Sequence, residues 1–112
     1  MSRPFKCRHI KFLPEVTYFK PAGIPLKNLE EISLNLEEVE AIRLKDIEGL
    51  EQEECASRMG ISRPTFQRVL VSARNKIANA LINGKALRIE GGHYLIKTPE
   101  DSKNTVSEPE TT

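Results

Sequence analysis

Between Ser62 and Lys76 the chain sets out Ser62, Arg63, Thr65, Gln67, Arg68, Ser72, Arg74, Asn75 and Lys76 without one acid among them. Guanidinium and carboxamide groups present paired donors, or a donor beside an acceptor. That is the pattern that complements base edges in the major groove of a nucleic-acid duplex. Hydroxyl and ammonium groups suit phosphate oxygens. A helix face that only meets water commonly mixes both signs of charge; this one carries a single sign. The chemistry on offer is recognition of a polyanion, with Arg63, Gln67 and Arg68 as base readers. Ser62, Thr65, Ser72, Arg74 and Lys76 are the phosphate contacts.

These groups need a rigid carrier, and the spacing supplies one. Phe66, Val69, Leu70, Ala73, Ile77, Ala80 and Leu81 step by threes and fours, which predicts one long helix from Arg63 with a single buried stripe. Ser62 is its N-cap, Pro64 sits in the first turn where a missing N–H costs nothing, and Asn83-Gly84 ends it. A shorter helix over Glu51–Met59 precedes it, with Cys55, Ala56 and Met59 inward. The pair meets the requirements of a helix-turn-helix. Ala56 is small where two helices touch, and Gly60, four residues on, tolerates positive φ in the turn. Met59, Ile61, Phe66 and Val69 seal the interhelical angle. An ordinary helical hairpin would also use these caps, but it leaves the acid-free face without a purpose. Ahead of the pair, Asn35 caps a first helix over Leu36–Glu48. Leu36, Val39, Ile42, Leu44 and Ile47 face in; Glu37, Glu38, Glu40, Arg43 and Asp46 face solvent.

The flanks are irregular. Pro4, Pro14, Pro21 and Pro25 make residues 1–34 an extended arm, ordered by contact, with room for one or two short strands around Ile10/Phe12 and Val16/Tyr18. Arg3, Lys6, Arg8 and Lys11 give this arm a basic start that could reach a DNA backbone or minor groove. Leu87 and Ile89, then Tyr94 and Ile96, alternate around Gly91-Gly92 and predict a short β-hairpin, either a wing or a partner for an N-terminal strand. Residues 98–112 read as a disordered acidic tail. The expected fold is mainly α: a three-helix helix-turn-helix domain over residues 1–97, divided into arm (1–34), core (35–83) and hairpin (84–97).

Composition sets the outer limits. At 112 residues, with 38% hydrophobic and 29% charged residues, one globular, soluble domain is expected. No apolar run is long enough for a membrane span and the N-terminus has no signal-peptide core, so the expected compartment is the cytoplasm. Two cysteines make no disulfide framework. Cys7, His9, Cys55 and His93 lack structural-metal spacing, so no metal or cofactor is expected. No catalytic motif stands out, and an enzyme is not expected. The net charge of +1 hides a strong pattern. Residues 1–28 carry six cations against one acid, 29–54 two against ten, 55–97 eight against one, and 98–112 one against four. Near-neutrality is cancellation between blocks, and it does not argue against a nucleic-acid partner.

Two resemblances fit these residues. Leu36 to Leu81, with Ile42-Arg-Leu, Glu48-Gly-Leu-Glu-Gln-Glu-Glu, Met59-Gly-Ile-Ser-Arg and Ala73-Arg74, resembles region 4 of bacterial sigma factors. Pro64 stands where that pattern places a polar reader, so no promoter code carries over. Residues 1–97 more closely resemble a family of small prokaryotic proteins described as predicted DNA-binding (domain of unknown function 134). The residues that carry this likeness are Cys7-Arg8, Phe19-Lys-Pro-Ala-Gly23, Val39-Glu-Ala-Ile-Arg-Leu, Met59-Gly-Ile-Ser-Arg-Pro-Thr-Phe, Ala73-Arg-Asn-Lys-Ile-Ala and Gly84-Lys-Ala-Leu-Arg-Ile-Glu-Gly-Gly. What the resemblance implies is a DNA-binding fold, without a target or physiological role; the residues themselves lead to the expectation of a helix-turn-helix that binds double-stranded DNA in transcriptional regulation. A single half-site contact is weak, so a homodimer is the default expectation. The alternative is a protein-interaction adaptor that docks through the acidic face of the first helix.

Overall fold

In the computed structural model, which describes residues 8–92 and 94–96, Asn35 opens the first helix as expected. Its side chain accepts from the Glu38 backbone N–H at 2.8 Å, and the Glu38 carboxylate accepts from the Asn35 N–H at 3.0 Å, a complete capping box. This helix, α1 (Leu36–Ile42), is shorter than the predicted Leu36–Glu48. Over Arg43–Ile47 the chain widens into a π-type turn, with the Glu48 N–H donating to the Arg43 carbonyl at 2.9 Å. The extra residue shifts the phase of everything after it. Leu44 is buried as expected, but Ile47, expected inside, is 76% exposed.

The next two helices follow the sequence closely. α2 (Gln52–Met59) starts after Glu51 and ends at Gly60, whose φ of 70° is left-handed. The Ile61 N–H then returns to the Ala56 carbonyl at 3.0 Å, which fixes the turn. α3 (Arg63–Asn83) starts on Ser62, whose Oγ accepts from the Thr65 N–H at 3.3 Å. Phe66 and Leu70 of α3 pack with Ala41 and Leu44 and with Cys55, Ala56 and Met59 in one buried cluster. At 21 residues α3 is roughly 30 Å long, and Ala80 in its last turn is still buried. Leu81, predicted to lie on the buried stripe, falls about 100° round the helix from Ala80 and is 79% exposed.

The strands change the expected picture of both flanks. β1 (Arg8–Ile10), β2 (Tyr18–Phe19) and β3 (Glu31–Leu34) precede the helices; β4 (Ala86–Ile89) and β5 (Tyr94–Ile96) follow them. β4 lies between β2, antiparallel, and β3, parallel, while β5 pairs in parallel with β1. The predicted hairpin is therefore corrected: β4 and β5 do not pair with each other. Gly91 and Gly92 do not make a tight two-residue turn. They carry the chain past the start of α1, where the Gly91 carbonyl accepts from the Leu36 N–H at 3.0 Å. A side chain at Gly92 would collide with the Glu37 carboxylate. The arm is corrected in the same way, since three strands of residues 8–34 are built into the two sheets. Three helices and a small mixed sheet system describe the chain better than a mainly helical domain with loose ends. The predicted tail at 98–112 lies outside the described residues.

Candidate functional site

The α2–turn–α3 unit presents the first two turns of α3 outward. Arg63, Gln67 and Arg68 are exposed there. Among the described residues no carboxylate pairs with Arg63 or Arg68; the nearest polar contact of Arg68 is a 3.4 Å donation to Thr65 Oγ1. Ser62 and Thr65 join in the cap, with the Ser62 hydroxyl donating to Thr65 Oγ1 at 3.0 Å. No acidic side chain falls in this first turn, so the positive end of the helix dipole and two guanidinium groups stand together. The turn is held from behind: a Cβ at Gly60 would lie 3.2 Å from the His9 ring of β1. Any residue but glycine would meet both a disfavoured φ and that imidazole.

The later turns of α3 differ. Ser72 Oγ donates to Glu38 Oε2 at 2.5 Å and Lys76 Nζ to Glu38 Oε1 at 2.9 Å. Arg74 grips Asp46 with two nitrogens, at 3.2 and 2.5 Å, and this guanidinium holds the Asp46 carboxyl below its usual range. The three residues expected as phosphate contacts in this half are thus engaged by the chain's own acids. Of the basic arm, Arg8 is turned to Glu37 at 3.3 Å and the Lys11 backbone N–H donates to Glu40 at 3.1 Å, with its side chain exposed. Arg3 and Lys6 lie outside the described residues.

Glu37, Glu38 and Glu40 were expected on a solvent face, and the structure overturns this: all three are buried. Each ties α1 to a different neighbour. Glu37 holds Arg8 of β1, Glu38 holds α3, and Glu40 takes Arg43 in a two-pronged pair at 3.2 and 2.8 Å. Glu38 is the residue that sequence reasoning missed. The signal was present, since Asn35-x-x-Glu38 is a capping-box spacing. A second cluster lies on the three-stranded sheet. Arg88 donates to both oxygens of Glu31 at 3.0 and 2.9 Å, Tyr18 donates to Glu31 at 2.6 Å, and Arg88 stacks over the Tyr18 ring at 4.7 Å. These contacts, led by Arg88, draw the Glu31 carboxyl down to about 2. Among the described residues no group of three metal-ligating side chains comes together; Cys7 and His93 lie outside them. Cys55 is fully buried, and burial pushes its thiol up, so it is held protonated in the core. No helix among the described residues is long and apolar enough to cross a membrane.

Residues 1–97 match the family described as Protein of unknown function DUF134. The chain belongs to that family. Similar curated proteins carry the description UPF0251 protein. One from Desulforudis audaxviator (strain MP104C) is 68% identical over 94 residues, which cover 84% of this chain and 61% of that protein. Another, from Moorella thermoacetica (strain ATCC 39073 / JCM 9320), is 65% identical over 100 residues, covering 89% and 67%. A third, from Halothermothrix orenii (strain H 168 / OCM 544 / DSM 9562), is 66% identical over 96 residues, covering 86% and 71%. The chain thus spans about two thirds or less of the first two relatives' length. No solved structure matches it. Within DUF134, then, the site has to be interpreted from its own geometry.

Proposed function

We propose that this DUF134 chain binds double-stranded DNA sequence-specifically, through a helix-turn-helix of the kind that sigma factor region 4 uses, and acts in transcriptional regulation. The observation that carries this reading is the pair of unpaired guanidinium groups, Arg63 and Arg68, flanking exposed Gln67 on the first two turns of α3. A helix inserted by its N-terminal end meets base edges with those turns. Arg63 and Arg68 each suit the O6/N7 edge of guanine, and Gln67 suits the N6/N7 edge of adenine. The Ser62 and Thr65 hydroxyls at the head of the helix take phosphate. Ser72, Arg74 and Lys76 act one step back: through Glu38 and Asp46 they fix the angle at which α3 leaves the body.

Salt dependence of binding to mixed duplex DNA tests the proposal. Affinity is expected to fall steeply, by about 0.9 log units per phosphate neutralised for each log unit of salt. Absence of duplex binding at low salt would sink it. The adaptor reading loses support from the burial of Glu37, Glu38 and Glu40, which takes three carboxylates out of the face it would dock through.

A further inference from the structure

Pairing of the arginines leaves a remainder. Among the described residues Arg8, Arg43, Arg58, Arg74 and Arg88 each hold a carboxylate of the chain. Arg63 and Arg68 do not, and both are exposed. Two bare guanidinium groups at one end of one helix attract any acidic segment that can reach them.

The sheet determines which segment that is. β5 pairs with β1 in parallel, Ile96 against Ile10, so β5 ends about 4.8 Å from the end of β1. That end borders the α2–α3 turn, where Ile10 and the exposed Lys11 line one cleft with Ser57, Arg58 and Gly60. The next acids along the chain are Glu100, Asp101, Glu108 and Glu110, and residues 98–112 set only Lys103 against them. At about 3.3 Å per extended residue, Glu100 and Asp101 reach up to about 17 Å from Ile96 and Glu110 up to about 46 Å. Ser62 to Arg68 spans about 9 Å of helix, so length is no obstacle. We propose that residues 98–112 fold back onto the first two turns of α3, where their carboxylates hold Arg63 and Arg68 in place of an external polyanion. The contact is autoinhibitory: a duplex has to displace it. Tethering gives the acids an effective concentration in the millimolar range, so even a weak contact competes. The fold-back stands apart from the DNA reading; its effect on duplex binding rests on it.

Paramagnetic relaxation in the full chain without DNA tests the contact. A nitroxide is placed by Ser107→Cys in a Cys7→Ser background, with Cys55 buried and out of reach of the label. Amide signals of residues 63–68 are expected to lose intensity, those of residues 78–82 to keep it, and about 0.5 M salt to restore the first set. No loss at residues 63–68, or the same loss at both ends of α3, overturns the fold-back. Neutralising the segment with Glu100→Gln, Asp101→Asn, Glu108→Gln and Glu110→Gln is expected to abolish the loss; its survival also overturns the proposal. The same variant is expected to bind mixed duplex DNA about threefold or more tightly than wild type at low salt, with the gap closing as salt rises. Equal affinity of the two chains overturns the autoinhibition. A chain that shows the fold-back, and whose neutralised variant binds no duplex, removes only the DNA reading.

Discussion

The two halves of α3 carry the same kinds of side chain and put them to opposite uses. In the first half Arg63 and Arg68 face solvent with no carboxylate partner among the described residues. In the second half Arg74 and Lys76 are matched by Asp46 and Glu38, and Ser72 joins them on Glu38. The difference lies in the neighbours. Glu38 of α1 and Asp46 of the π-type turn reach Ser72, Arg74 and Lys76, whereas the first half buries Phe66 and Leu70 against the same elements and turns Arg63 and Arg68 to solvent. A count of cations along a helix therefore overstates its capacity for an external anion. What matters is how many are left after the chain has neutralised its own.

The largest expected effect separates the halves directly. Arg63→Ala with Arg68→Ala is expected to weaken duplex binding by at least about 30-fold at low salt. Stability should move by no more than about 0.5 kcal/mol, as measured by fluorescence anisotropy on DNA and by urea unfolding. Glu38→Ala works the other way. It strips partners from the Asn35 N–H, Ser72 and Lys76 and is expected to cost about 2–4 kcal/mol of stability, discounted for the partial exposure of Lys76. A urea midpoint shift at constant m-value checks it. Arg74→Ala, on an exposed pair, is expected to cost about 1 kcal/mol or less and to change duplex affinity by less than about threefold. An affinity loss equal to that of Arg68→Ala would erase the distinction between the halves.

The smallest effect lies on the sheet. Glu31 is held at about 2 by the Arg88 guanidinium and then by the Tyr18 hydroxyl, well below its ordinary 4.5. A carboxyl lowered in the folded state contributes fully above its ordinary value, and that contribution is lost as pH falls through the folded one. Acid destabilisation between pH 4.5 and about 2 should therefore carry a Glu31 component. Glu31→Gln should flatten that stretch of the profile, and a carboxyl resonance of Glu31 titrating near 4.5 in the folded chain would show the contact to be absent.

What could be read from the sequence was what depends on near neighbours. Asn35, Gly60 and Ser62 act within four residues of themselves, and each sits where its type demands. The burial of Cys55, Ala56, Met59, Phe66 and Leu70 follows from helical spacing alone. The sequence could not place contacts that depend on how elements meet. Glu38 binds residues 34 and 38 positions away, so it looked like one more solvent-facing acid. Ile47 looked buried because a uniform helical period was carried through the π-type turn. Gly91-Gly92 looked like a hairpin because two short apolar alternations flank it; nothing local says that each strand already has a partner at the other end of the chain.

That pairing of ends has a consequence in time. β4 and β5 are made after the helices, and among the described residues β1, β2 and β3 have no sheet partners until then. The helical cluster of residues 41–70 is assembled from contacts close in sequence and is the part that can form early. Closing the sheets requires drawing together the two ends of the described chain, a slow, entropically costly step. The segment that steadies the α2–α3 turn from behind, His9 against Gly60, belongs to β1 and is set only when that closure is complete. A nascent chain would thus carry a formed α2–α3 pair well before it carries a braced one.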